Sequence, residues 1–175
     1  MKSTNSLLFT NLKINYDSQK NLDKKIDLIY QNQKLINSID DRIKTLKLFK
    51  IFLIKHKLNL VNLINTEAHK TKKESLGEFE YALDFVDYSI NLLSKYKFNK
   101  KTSSNRFIFF KSSGSVFAIT PYNDPLAGMT RKIAPSIASG STLIMKTSSF
   151  CINLCNYFDS HLPKNLKNIL QFAFI

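Results

Sequence analysis

The groups in this 175-residue chain that could do chemistry gather in two short stretches, Thr120-Pro-Tyr-Asn-Asp-Pro125 and Lys146-Thr-Ser-Ser149. An Asn on a loop bracketed by prolines offers two amide N–H donors and no titratable charge. That suits an oxyanion formed when a nucleophile attacks a carbonyl. A Lys at a strand end can hold a hydroxyl or phosphate of a bound nucleotide. Spacing alone leaves a plainer reading open for each: Asn123 as a cap for the following helix, Lys146 as a surface charge. Other reactive types are scattered. Cys151 and Cys155 lie four apart on an expected helix without basic neighbours, which reads as buried small apolar residues and not as nucleophiles. His56, His69 and His161 are isolated, and a C-x3-C pair without partners is poor ligand spacing, so no metal site is expected. Glu67, Glu74 and Glu78 read as surface or capping carboxylates.

The surrounding elements must position these groups. Residues 106–111 and 115–120 read as strands around the turn signal Ser112-Ser113-Gly114, hence as a hairpin. Pro125 suits the first turn of a helix running to about Ser139, with Gly140 at its left-handed C-terminal cap. A buried strand over 141–145, a short helix near 150–160 and a last apolar run over 169–175 follow. Strand, helix, strand, helix, strand at this spacing is a βαβ arrangement with a parallel sheet. Both stretches then sit at carboxyl ends of strands, where open α/β sheets bind ligands. Upstream the period is helical: Leu22, Ile26, Ile29 and Ile36 form one helix. Ser38 with Asp41 opens a second that ends near Ala68, and Ser75 with Glu78 opens a third that ends near Tyr96. There is no internal repeat.

Composition narrows the class. The chain is 43% apolar, which allows a core and excludes wholesale disorder. Its formal charge of +13 comes from 26 Lys+Arg against 13 Asp+Glu. Of the basic residues only Arg42, Arg106 and Arg131 are Arg, so the bidentate fork suited to phosphate is scarce. The lysines spread through every segment, densest at Lys95, Lys97, Lys100 and Lys101, and read as solvated surface. Two cysteines make no disulfide framework, no apolar run reaches membrane-spanning length, and the N-terminus lacks a secretory pattern. A cytoplasmic protein is expected.

The stretch Ala118-Ile-Thr-Pro-Tyr-Asn-Asp-Pro-Leu126, then Thr130-Arg-Lys-Ile-Ala-Pro-Ser-Ile-Ala-Ser-Gly140, then Leu143-Ile-Met-Lys146 resembles the aldehyde dehydrogenase superfamily. That family carries a TPWN or TPFN loop, an "RK.AP.lA.G" helix and a "vlKPsE" strand end. Leu63-Ile-Asn-Thr-Glu-Ala-His-Lys-Thr-Lys-Lys-Glu-Ser-Leu-Gly-Glu-Phe-Glu-Tyr-Ala82 is similar to its "l.tlEtGKp..ea.gEv.ya" helix pair, and Leu162-Pro-Lys-Asn-Leu-Lys-Asn-Ile169 to its "lP.gv.Nvv" turn. The resemblance covers about residues 20–170. The "GE..YA..F..Y" and "TRK" wording is most similar to succinate-semialdehyde dehydrogenases.

The resemblance implies an α/β fold: N-terminal amphipathic helices followed by an incomplete Rossmann-like parallel β-sheet with βαβ units. It divides the chain into a polar segment (1–20), a helical part (21–96), a linker and β-hairpin (97–117) and a partial dinucleotide-binding βαβ region (118–175). It also implies NAD or NADP as cofactor and an aldehyde as substrate. Asn123 falls on the oxyanion-stabilising Asn, Thr120 and Tyr122 in the loop lining the nicotinamide cofactor, and Lys146 on the Lys that contacts the adenosine ribose. Ser149 replaces the Glu that binds the ribose hydroxyls, which removes repulsion against a 2′-phosphate and leans toward NADP. Thr147 replaces a Pro, and Tyr122 a Trp or Phe. The family's nucleophilic thiol and carboxylate base belong to its later half, so a truncated N-terminal fragment, inactive alone, is expected. The alternatives are one half of a split enzyme needing a complementing C-terminal chain, and a basic nucleic-acid-binding module using the Lys95–Lys101 region. Homo-oligomerisation stays open.

Overall fold

The computed structural model describes residues 16–96, 99–103 and 105–175. Most of the polar N-terminal segment, together with Lys97 and the side chain of Lys100 in the dense basic group, lies outside the described residues. Helices α1 (Gln19–Asn32), α2 (Ile39–Lys55), α3 (Lys57–Glu67) and α4 (Lys72–Lys95) fill the first half. Strands β1 (Lys100–Ser103), β2 (Arg106–Ile108) and β3 (Val116–Ile119) follow, then α5 (Pro125–Ser139), β4 (Leu143–Lys146), α6 (Ile152–His161), α7 (Lys164–Lys167) and β5 (Leu170–Phe172). This is the α/β arrangement expected from the sequence: helices first, then a small parallel sheet in the order β3-β4-β5.

Helix starts follow local polar chemistry. Ser18 caps α1 by accepting from Asn21 N, and Ser38 caps α2 by accepting from Asp41 N. The second expected helix divides at His56, whose φ of −103° and ψ of 11° leave the helical region. There the imidazole Nδ1 lies 2.7 Å from Tyr157 Oη, so the break is held by α6, which no sequence period reveals. The third helix begins one turn earlier than Ser75 and Glu78 suggest. Its capping box is Thr71 with Glu74, both reciprocal bonds being formed. Ser75 is interior to α4, bonded to Thr71 O, and Glu78 faces α5.

The expected hairpin has a different partner. Residues 106–108 pair antiparallel with β1, Lys101 opposite Phe107, while β3 pairs in parallel with β4. The approach to β3 is tied to the entrance of β4: Ser112 Oγ contacts Ser141 Oγ at 3.0 Å and Ser115 Oγ contacts Thr142 Oγ1 at 2.9 Å. With Gly114 at φ 106°, those bonds steer the chain alongside β4 and away from β2.

The main core lies where α5 packs against α2, α3 and α4 on one side and the sheet on the other; Phe49, Phe79, Met129, Ile133, Met145 and Phe158 are all fully buried there. Strand alternation sends Leu143 and Met145 into that core and Ile144 to the opposite face, where Ile29 of α1 covers it. The start of α1 is locked to the end of β5: Asp17 accepts from Phe174 N and pairs with Lys25, which donates to Phe172 O.

Helix α5 meets its expected boundaries. Pro125 occupies the first turn and Gly140 is left-handed at φ 78°. A Cβ at Gly140 would stand 2.6 Å from Arg42 Nη2, because that guanidinium lies over the helix end and donates to Ala138 O, Ile36 O and Asn37 O.

Candidate functional site

Parallel pairing of β3 with β4 sets Ile119 beside Lys146, so the two chemistry-bearing stretches leave adjacent strands at the same sheet edge. Three contacts join them: Thr120 N donates to Lys146 O, the Tyr122 ring meets Phe150 edge-on at 5.6 Å, and Cys151 Sγ lies 3.6 Å from Tyr122 O. A cleft of about 210 Å³ opens here, with Lys146, Thr147, Ser149 and Ile152 on one side and Tyr16 and Phe174 on the other. Lys146 and Ser149 therefore share one concavity. Tyr122 and Asn123 lie outside it and are exposed, Asn123 Nδ2 donating to Asp124 Oδ2 at 3.3 Å. Thr120 is buried, and its Oγ1 is the single buried side-chain oxygen or nitrogen without a partner among the described residues.

Asn123 does not cap α5; Asp124 is its N-terminal flanking residue and makes no side-chain cap bond either. The cap comes from another helix. Glu78, on α4, projects into the first turn of α5, and its Oε1 accepts from Leu126 N at 2.7 Å and Ala127 N at 3.0 Å. Its Oε2 accepts from Lys70 Nζ at 2.6 Å, and Lys70 also reaches Asp124 Oδ1 at 2.5 Å. Burial alone would lower the Lys70 ammonium; hydrogen bonds and charge from Asp124 and Glu78 outweigh it and hold the pKa above its ordinary value.

The loop after β4 has a matching device. Glu67, the last residue of α3, accepts from Asn153 N at 2.6 Å and Leu154 N at 2.8 Å, satisfying the first amides of α6. Burial raises its carboxyl above the ordinary range, against the lowering effect of those two bonds. Thus both helices that follow the candidate loops have their positive ends filled by carboxylates from the helical half. The capping reading of Glu67 and Glu78 is right in kind, but the helices they cap lie about 90 and 50 residues further along the chain, respectively. The usable signal was their place in the Glu-x-x-Lys…Glu pattern of residues 67–78.

Neither cysteine is poised to attack. Cys151 and Cys155 are buried, and burial first, then nearby carboxylates, pushes both thiols up to about 12. Among the described residues no group of three or more His, Cys, Asp or Glu is placed to hold a metal ion, and no helix is long and apolar enough to cross a membrane.

The family model for the aldehyde dehydrogenase family matches residues 12–171. The mitochondrial succinate-semialdehyde dehydrogenase of Arabidopsis thaliana is 38% identical over 112 residues, 62% of this chain and 21% of that protein. A D-glyceraldehyde dehydrogenase (NADP(+)) of Picrophilus torridus is 34% identical over 125 residues, 66% of this chain and 25% of the relative. The crystal structure of the Streptococcus pyogenes succinic semialdehyde dehydrogenase in complex with NADP+ superposes with a TM-score of 0.80 at 18% identity, over 91% of this chain and 37% of that one. The chain spans about a fifth to a quarter of the length of the curated relatives it matches.

Proposed function

We propose, from the premise that this chain belongs to the aldehyde dehydrogenase family, that it forms the cofactor-side N-terminal part of an enzyme that oxidises an aldehyde with NAD or NADP. The observation that carries this is the shared sheet edge: parallel β3 and β4 bring Thr120–Asn123 and Lys146–Ser149 side by side. The residues present fit a nicotinamide dinucleotide. A buried hydroxyl without a partner stands at Thr120, and a cation and a small hydroxyl share the adjoining cleft.

Each side chain then has a defined task. Lys146 holds a ribose hydroxyl or a phosphate as a point charge. Ser149 leaves the ribose wall without a carboxylate, which favours a 2′-phosphate and so NADP. Tyr122 gives an aromatic wall and Thr120 a hydrogen-bonding group near the nicotinamide end. The cofactor, when bound, supplies the hydride acceptor. Asn123, with one amide hydrogen given to Asp124, contributes its other uncharged N–H for the oxygen that becomes negative when a thiolate adds to the aldehyde carbonyl. The thiolate and the base that activates water for deacylation come from residues outside this sequence, since both cysteines here are buried and protonated. A small semialdehyde such as succinate semialdehyde is the substrate class that the sequence wording favours.

On this reading the chain alone has no turnover and gains it when a complementing thiol-bearing chain is co-expressed. In that assembled enzyme Asn123→Ala lowers kcat about 100- to 1,000-fold, the usual effect of removing an oxyanion donor. The assay is NADP+ or NAD+ reduction with succinate semialdehyde. A rate from this chain alone that disappears in Cys151→Ala or Cys155→Ala overturns the proposal, as does an assembled enzyme indifferent to Asn123→Ala.

A further inference from the structure

Four side chains, with two backbone amides of α5, form an unbroken hydrogen-bonded chain that ends on the candidate oxyanion group. Leu126 N and Ala127 N donate to Glu78 Oε1, Lys70 Nζ donates to Glu78 Oε2 at 2.6 Å and to Asp124 Oδ1 at 2.5 Å, and Asn123 Nδ2 donates to Asp124 Oδ2 at 3.3 Å. The Glu78 carboxylate is almost wholly buried, with its side chain 3% exposed, whereas Asp124 is more than half exposed. Without a cation between them, two like charges would face each other across the start of α5. Asp124 would then be drawn into water, taking the orientation of its neighbour Asn123 with it. An uncompensated Asp124 beside Asn123 would also oppose any negative oxygen forming there.

We propose that Lys70 is a positioning residue for the Asn123 loop. It ties Asp124 to the Glu78 cap of α5 and neutralises one of the two carboxylates, so that the Asn123 amide is presented to an incoming carbonyl oxygen in one orientation. This rests on the reading of Asn123 as the oxyanion-stabilising residue, but it is an inference about how the loop is held, and it is measured without aldehyde or cofactor.

The test is nuclear magnetic resonance on the full chain and on Lys70→Met and Lys70→Arg. In Lys70→Met the Asn123 side-chain amide pair moves to the shifts of a free asparagine. Exchange of the Leu126 and Ala127 amides, which keep an acceptor but lose its ion pair, quickens about tenfold. In Lys70→Arg, which keeps the charge and a two-way donor, both return toward the parent values. Asn153 and Leu154, held by Glu67, serve as internal controls and stay unchanged in both variants. An Asn123 signal unmoved in Lys70→Met overturns the proposal. So does a change spread equally to Asn153 and Leu154, which would make Lys70 a general structural residue. If Lys70→Met does not fold, Asp124→Asn, which removes the charge at the exposed end of the chain, must move the Asn123 signal, or the proposal fails. Failure of the oxyanion reading itself is seen separately, as an assembled enzyme indifferent to Asn123→Ala whatever the Lys70 result.

Discussion

Glu67 allows the geometry of a helix cap to be separated from its charge. The carboxylate joins α3 to the first turn of α6 through Asn153 N and Leu154 N, and Leu154 is fully buried. Glu67→Ala leaves two amides without an acceptor. A buried unsatisfied N–H costs about 1–3 kcal/mol, and since Asn153 is half-buried and can recruit water, the sum expected is about 2–3 kcal/mol. That is a large share of a typical total of about 5–15 kcal/mol. Glu67→Gln behaves differently. Its amide oxygen can still accept, and the parent carboxylate is held above its ordinary value by burial, so neutralising it relieves a desolvation cost while weakening two bonds. The two effects oppose, and the expected change at neutral pH is below about 1 kcal/mol. The sign with pH follows. A folded-state pKa raised above the ordinary 4.5 means the native state binds the proton more tightly, so stability rises as pH falls from neutral through the folded value and levels off below 4.5. The assay is urea unfolding at several pH values, read as a shift in midpoint at constant slope. Two results would refute the reasoning: Glu67→Ala within about 0.5 kcal/mol of the parent, or Glu67→Gln retaining the parent's carboxylate contribution to the pH profile.

The remaining expectations are simpler. Glu74 is depressed by its bonds to the Thr71 backbone and hydroxyl, so its contribution has the opposite sign, present above 4.5 and lost as pH falls through the folded value; Glu74→Gln removes that contribution from the same pH series. His69 is the one non-glycine residue with positive φ among those described, at 52°, and it stands where the resembled motif has Gly. His69→Gly relieves about 1–2 kcal/mol of left-handed strain, against about 0.4–1 kcal/mol for the looser unfolded chain, so the melting temperature rises by one or a few degrees, about 2–4 °C per kcal/mol at this size; His69→Ala gives no such rise, and a fall with Gly contradicts the strain argument. Thiols held near 12 instead of the ordinary 9.0 contain about a thousandfold less thiolate, so Cys151 and Cys155 react with a thiol reagent about that much more slowly in the folded chain than in urea. Labelling at the rate of a free thiol in folded protein would show the burial to be wrong.

Signals carried by neighbouring residues were legible in the chain itself: the Pro125 start, the Gly140 cap, the Ser38 cap and the parallel strands that set Lys146 beside the Thr120 loop. What escaped was decided by partners distant in sequence. His56 breaks a continuous helical period because Tyr157, about a hundred residues later, holds its ring. Thr71 with Glu74 takes the capping role from the equally spaced Ser75 with Glu78, because Glu78 is engaged by Lys70 and the first amides of α5. Residues 106–108 and β3 both look like hairpin strands, but hydrogen bonds from Ser112 and Ser115 to the entrance of β4 decide which partner β3 takes. Of the candidate site, the shared position of Lys146 and Ser149 was legible, since both follow β4 directly and line one cleft. The orientation of Asn123 depends on Lys70 and Asp124, a relation that exists only once α4 lies against α5.

Helix α5 bears an anion from α4 at its amino pole and the Arg42 guanidinium from α2 at its carboxyl pole. A rod gripped at both tips by opposite signs resists sliding lengthwise, because motion either way stretches one grip. The floor beneath the Pro121–Pro125 bend is therefore fixed in distance as well as in direction. Changes in what this edge of the sheet accepts should then arise from side chains in the bend itself, with the scaffold under it serving as a constant datum.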